Sequence, residues 1–299
     1  MKPKNVLVLG GTGMLGHTLF RALSNSPGLN VYATVRSLDG LSDRFTKNML
    51  QGVRTGVDAD NFDDIARTLT EVKPDVVINC IGLIKQLPQA SDPATAITIN
   101  ALLPHRLASA CRTANARLIH ISTDCVFDGR KGNYTEQDTT NADDLYGRTK
   151  MLGEISGPNC LTLRTSIIGH ELKTRLGLLE WFLAQTSPVR GFTKAIYSGF
   201  PTIELVHIIA DYVLPNPDLQ GIYNVSTSPI SKYELLRIVA RHYGKHTVIE
   251  PFDGFSLDRS LNSAAFKART GYTPPSWEQL IEKMRVDYRA HLEIYHAVV

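Results

Sequence analysis

Seven residues near the start, Gly10-Gly11-Thr12-Gly13-Met14-Leu15-Gly16, restrict this chain more than any other stretch. They follow the apolar run Asn5-Val6-Leu7-Val8-Leu9 and open onto a segment that reads as a helix from about Met14. Gly10 permits a tight turn, Gly13 lets backbone approach a pyrophosphate, and Gly16 lets the helix lie close against the strand. Met14 and Leu15 fall in the first helical turn, whose N-terminus supplies amides and the positive end of the helix dipole. Glycines also mark plain turns. Their position at the first strand of a βαβ run predicts a dinucleotide site.

The same rhythm continues along the chain. Residues 31–35 read as a second strand, Gly56-Val57-Asp58 as the end of a short third, 75–79 as a fourth, 117–121 as a fifth and 160–163 as a sixth. Helical patterns at 94–115 and 144–155 fall between the later strands. Such alternation predicts an α/β fold, a Rossmann doubly wound parallel sheet covered on both faces. After Gly169 the character changes, with helical stretches at 176–186, 203–214 and 231–243, a strand at 222–225, and a helical end from Ser263. The predicted division is a dinucleotide-binding domain at 1–168, to which 197–229 partly returns, and a smaller, mostly helical C-terminal lobe at 169–196 and 230–299 that binds substrate. No Gly/Ser linker separates the two, so the cleft between them is expected to be tight.

Composition removes several other roles. Lys plus Arg number 32 against 29 Asp plus Glu. This balance, without a basic block, argues against nucleic acid or an anionic membrane as partner. No apolar run approaches the length of a membrane span, and the opening run turns to glycine after Leu9, which suits a strand rather than a signal peptide. Cys80, Cys111, Cys125 and Cys160 contain no CxxC and no zinc spacing, as expected of reduced thiols in a cytoplasmic protein. His242 and His246 flank Gly244 with no third ligand nearby, so no metal is expected. Trp181 sits in a helix near the cleft and is expected to pack in the core.

Two further features carry chemistry. An NAD site usually has an acidic residue after the second strand; here stands Arg36, twenty residues past Gly16, suited to a 2′-phosphate. This favours NADPH, with NADH as the alternative. Asp58 is the candidate for the adenine amine. Tyr146 and Lys150 stand at i and i+4 and share one helix face. A neighbouring ammonium is expected to lower the phenol's pKa and make Tyr146 a usable acid near neutral pH. Thr123 ends the fifth strand beside them.

With these residues in place, the chain resembles an extended short-chain dehydrogenase/reductase, and within that group the dTDP-4-dehydrorhamnose reductase family of nucleotide-sugar reductases. The likeness rests on GGTGMLG, STDCVFDG, YGRTK with Gly153-Glu154, and Leu163-Arg164-Thr165-Ser166. Ser198-Gly199-Phe200-Pro201-Thr202 and Gly221-Ile222-Tyr223 extend it more loosely over the last third. The resemblance implies a catalytic set in which Tyr146 protonates the C4 oxygen of a keto sugar, Thr123 hydrogen-bonds that oxygen, and Lys150 holds the nicotinamide ribose. It also implies that Cys80, Ile81 and Gly82 line the cofactor, that Asn100 supports the Lys150 region through water, and that Ser166 and Arg259 lie at the substrate, Arg259 on its diphosphate. A homodimer through the 94–115 and 144–155 helices is implied likewise.

The chain departs from that pattern at Cys125, where the reductases usually carry tyrosine. At this offset the nucleotide-sugar 4,6-dehydratases have a glutamate, and the GDP-fucose synthases a cysteine that acts as base for epimerisation. The thiol is then either a second catalytic centre or a pocket wall, and His170 does not align with the histidine such a cysteine needs. Gly82-Leu83-Ile84-Lys85-Gln86 also departs from the Thr-Val-Asp type of sequence of the rhamnose-forming enzymes. Three functions follow: a nucleotide-sugar 4-reductase, a combined epimerase/reductase using Cys125, and a non-catalytic regulatory subunit.

Overall fold

The computed structural model describes residues 2–40 and 44–295. Its centre is a seven-stranded, wholly parallel sheet built from β1 (Lys4–Leu9), β2 (Leu29–Thr34), β3 (Val53–Arg54), β4 (Val76–Asn79), β5 (Arg117–Thr123), β6 (Cys160–Thr165) and β10 (Gly221–Asn224). The spatial order is β10-β6-β5-β4-β1-β2-β3. Order reverses between β1 and β4, the point where doubly wound sheets form their ligand crevice. Val6, Leu7, Val8 and Leu9 are wholly buried, as a strand covered on both faces requires.

One face of the sheet is covered by α1 (Met14–Leu23), α2 (Lys47–Gly52) and α8 (Thr202–His207). The other carries α3 (Phe62–Val72), α4 (Pro93–Ala96), α5 (Leu103–Thr113) and α6 (Leu145–Leu152). Between α4 and α5 the chain widens into a π-helical stretch at Ile97–Leu102, a device that often marks functional sites. The predicted third strand needs correction: β3 ends at Arg54, and Gly56, at φ +70°, belongs to the turn that follows.

The second lobe differs from expectation. Beside α7 (Leu178–Ala184), α9 (Lys232–Tyr243), α10 (Ala264–Thr270), α11 (Trp277–Ala290) and α12 (Leu292–Tyr295) it holds a three-stranded sheet. There β8 (Val189–Tyr197) lies between β11 (Ile230–Ser231) and β12 (Ile249–Asp258). A short pair, β7 (Ile167–Ile168) and β9 (Phe200–Pro201), links the lobes. The central β8 alternates buried and more exposed positions, but its inward residues include Gly191, Thr193 and Ala195, while the edge strand β12 is mostly exposed, so neither reads as an apolar strand in the sequence. The apolar core runs without a break from α1 into α11, and a buried Arg21–Asp287 pair at 2.6 Å crosses the same junction. Thus α11 packs on the first domain as well as on its own lobe. Trp181 is 40% exposed, not core. Residues 296–299, the end of the expected second segment, lie outside the described residues.

Candidate active site

At the carboxyl end of β5 the chain makes one tight helical turn, Asp124–Val126, and Cys125 N donates to Thr123 Oγ1 at 3.1 Å. Helix α6 presses against this turn. Asp144 caps it, its Oδ1 accepting from Gly147 N at 2.8 Å. A Cβ on Gly147 would stand 2.3 Å from the Cys125 carbonyl oxygen, so glycine is what permits the approach. At the far end a Cβ on Gly153 would stand 1.9 Å from the Asn100 carbonyl oxygen. Held at both ends, α6 brings Tyr146 into hydrogen-bonding contact with Thr123. It also buries Lys150, whose Nζ donates to the Ile121 carbonyl at 2.8 Å.

Burial governs the protonation states here. It pushes the Tyr146 phenol well above its ordinary value, with Cys125 adding to the rise and Thr123 opposing it. It pulls the Lys150 ammonium down to about 8, against the attraction of Glu154. The expected lowering of Tyr146 by Lys150 is therefore corrected: desolvation of the phenolate raises the phenol, Cys125, Asp124 and Asp144 add to the rise, and the lysine is turned to a backbone carbonyl. Glu154 is itself fixed by Arg164 at 2.7 Å, both side chains about 5% exposed, and by Ser122 Oγ at 2.8 Å.

The other predicted residues fall as follows. Asn100 clamps a loop: its Oδ1 accepts from Leu83 N at 2.9 Å and its Nδ2 donates to Leu83 O at 3.1 Å and to Thr149 Oγ1, beside Lys150, at 3.4 Å. This clamp holds Gly82 beside the lysine, where an added Cβ would lie 3.9 Å from Lys150 Nζ. Ile81 N donates to Asn79 Oδ1 at 3.1 Å, and burial pushes the Cys80 thiol up to about 12. Ser166 follows β6 directly, its carbonyl accepting from Phe200 N at 2.8 Å. Arg259 reaches the cleft, but its Nε donates to the Phe127 carbonyl at 2.7 Å and its Nη1 lies 3.5 Å from Cys125 Sγ. It is a wall of the pocket beside the cysteine.

Burial and Asp124 push the Cys125 thiol up to about 11, the wrong direction for a base near neutral pH. His170 is elsewhere, between Glu180 Oε1 at 2.6 Å and the Tyr243 hydroxyl at 2.9 Å, and stacked on Tyr288. His242 likewise spends both ring nitrogens, on Glu282 and Glu278.

The glycine loop is shaped for a diphosphate. Gly10 has φ +84°, and its carbonyl accepts from Gly13 N at 3.0 Å. A Cβ on Gly16 would collide with that carbonyl oxygen at 2.1 Å. Gly13 stands at the N-cap of α1 with no side chain to occupy the first-turn amides of Met14 and Leu15. Thr34 ties the loop to β2, its Oγ1 accepting from Gly10 N at 3.1 Å. Arg36 is exposed just past β2, and Asp58 is half-buried beyond β3.

Four residues escaped the sequence reading. Asp124 is 8% exposed and accepts from Thr123 Oγ1 at 3.1 Å. Lys85 donates to Asp144 Oδ2 at 2.5 Å and lies 5.4 Å from the Tyr146 ring centroid. Asp144 and Gly147 set the helix. Asp124 could have been suspected, standing inside an otherwise apolar turn between a hydroxyl and a thiol.

Glycine loop, sheet reversal and the Thr123, Tyr146 and Lys150 cluster together define the extended short-chain dehydrogenase/reductase class. Within it, residues 4–289 match the model of the RmlD substrate binding domain, and the chain belongs to that family. A probable low-salt glycan biosynthesis reductase, Agl14, of Haloferax volcanii is 27% identical over 82% of this chain and 76% of its own length. The dTDP-4-dehydrorhamnose reductase of Burkholderia thailandensis is 32% identical over 54% of this chain. That match spans about half of the relative, 49%. Among solved structures, a Bacillus anthracis dTDP-4-dehydrorhamnose reductase in complex with NADP superposes with a TM-score of 0.77 at 20% identity, covering 96% of this chain and 99% of its own. Among the described residues no helix is long and apolar enough to cross a membrane.

Proposed function

We propose that this protein is an NADPH-dependent reductase of the C4 keto group of a nucleotide-linked 4-keto-6-deoxy sugar, working in the cytoplasm on precursors of surface polysaccharide. The observation that carries the reading is the convergence of Thr123, Tyr146 and Lys150 at the carboxyl end of β5, next to a loop shaped for a diphosphate. When bound, NADPH supplies the hydride. The open first-turn amides of α1 hold its diphosphate, Arg36 meets the 2′-phosphate, and Asp58 the adenine amine. Cys80, Ile81 and Gly82 line the nicotinamide side, placed by the Asn100 clamp. Tyr146 gives its phenolic proton to the substrate oxygen, Thr123 donates a hydrogen bond to the same atom, and the Lys150 ammonium faces the nicotinamide ribose. Ser166 and Arg259 border the sugar. The fold divides in this reading into a coenzyme domain and a substrate lobe. A homodimer is supported by the exposed apolar residues Ile97, Leu102 and Leu152 on neighbouring helices.

The test is turnover in heavy water with NADPH and a panel of dTDP-, UDP- and GDP-linked 4-keto-6-deoxy sugars, with mass analysis of the product. NADPH oxidation with no deuterium on carbon is expected. No oxidation across the panel overturns the reading. Deuterium at C3 or C5 that disappears in Cys125→Ala would install the combined epimerase/reductase instead. The high thiol pKa and the distant engagement of His170 speak against that outcome.

A further inference from the structure

Thr123 has one hydroxyl proton and two lone pairs. One lone pair takes Cys125 N–H at 3.1 Å. The proton is directed at Asp124 Oδ1, also at 3.1 Å. In that arrangement nothing is left to donate to a substrate oxygen. The carboxylate therefore competes with the substrate for the one proton Thr123 can donate, and a second state of its neighbour would end that competition.

We propose that Asp124 aims Thr123: as a neutral acid it donates to Thr123 Oγ1 and frees the threonine hydroxyl for the substrate's keto oxygen, and as a carboxylate it takes that hydroxyl for itself. This rests on the reductase reading. No covalent bond changes. With Asp124 protonated, the threonine oxygen accepts from Cys125 N–H and from the carboxyl O–H, and its own proton points into the cleft beside Tyr146. Asp124 acts through Thr123 and is a positioning residue.

The surroundings favour the neutral acid. Asp124 is 8% exposed, and among the described residues no cation lies within ion-pair distance of it. Arg259 is engaged by the Phe127 carbonyl, by Cys125 Sγ and, at 3.8 Å, by Asp144. A buried carboxylate without an ion-pair partner is costly. The groups that face it are Thr123 and Cys125 on its own turn, whose side chains hydrogen-bond to it, Arg259 and, more weakly, Lys232 as cations, and the phenols of Tyr146 and Tyr197. Burial raises the carboxyl and outweighs Arg259, the hydrogen bonds and Lys232. The sign follows: the competent form is the protonated one, so Thr123 is lost as a donor as pH rises through the Asp124 pKa.

Infrared difference spectroscopy of wild type against Asp124→Asn tests this without substrate. A protonated-carboxyl stretch that persists in wild type above the pH at which an exposed aspartate loses its proton, and that is missing in the variant, is expected; its absence overturns the proposal. In turnover, Asp124→Asn can donate an N–H to Thr123 at every pH. It should remove one step of the alkaline fall that wild type shows, whereas Thr123→Val should lose about 10²–10³. A loss above about tenfold at the low-pH plateau, with coenzyme affinity unchanged, also overturns it. If Asp124→Asn does not fold, the band is read in Thr123→Val, where loss of the partner oxygen must shift it; an unshifted band overturns the proposal. If no keto sugar is reduced, the reductase reading fails while the band still decides the state of Asp124.

Discussion

The phosphate loop and the catalytic turn sit at the carboxyl ends of β1 and β5, with β4 between them, and are built on opposite principles. The loop from Gly10 to Gly16 works by what its residues lack: a Cβ at Gly16 would lie 2.1 Å from a backbone oxygen, and no side chain caps α1. The turn from Thr123 to Cys125 works by packing ionisable groups in a poorly hydrated corner, with Asp124 and Lys150 buried and Cys125 and Tyr146 half-buried, so that all four are shifted by desolvation. Backbone geometry makes a site that is insensitive to pH. Buried side chains make one whose state depends on it. Coenzyme binding and the chemical step should accordingly respond to different perturbations.

The largest separation is expected from Tyr146→Phe, which removes the proton donor and should lower kcat by about 10²–10⁴. Its coenzyme affinity, followed by fluorescence titration, should stay within a few-fold. A parallel loss of affinity would break the distinction between the two regions. Gly16→Ala should do the reverse by forcing α1 off β1, weakening coenzyme binding at least tenfold, about 1.4 kcal/mol. Unchanged affinity would show that the helix can move at no cost.

Lys150 sharpens the contrast through pH. Its ammonium is present below about 8 and lost above it, so if the proposed role of Lys150 holds, the reduction rate should fall through that value. Stability should move oppositely. An unfolded lysine keeps its proton to about 10.5, so between the two values the unfolded chain holds more protons and folding stability rises with pH. Urea titrations across that window, beside Lys150→Met in which this contribution vanishes, check the sign. The smallest effect belongs to Cys125→Ala. A thiol held protonated by burial contributes volume, and kcat should change by less than about fivefold while stability drops by about 1 kcal/mol. A loss of two orders of magnitude would make the cysteine a participant.

How far each region could be read from the chain follows the same division. The loop was legible because glycine spacing after an apolar run has few other uses, and Arg36 and Asp58 were placed by counting strands. Tyr146 and Lys150 were legible as a helical pair. Their electrostatics were not: helical spacing shows that two groups are near each other, while the balance of desolvation against charge depends on what covers them. The clamp of Asn100 on Leu83 was not legible, because Leu83 lies in a loop that no periodicity positions. The sheet formed by β8, β11 and β12 was missed because its strands are short or partly exposed and pair across long separations.

The sequence alone determined the parallel α/β architecture, the glycine loop and the helical pairing of Tyr146 with Lys150, since each follows from local spacing along one strand or helix. Only the tertiary structure decided which of those side chains are charged, that Cys125 is walled in by Arg259 and Asp124, and that His170 serves another cluster. Protonation and contact across more than a hundred residues depend on burial, and burial is a property of the assembled fold.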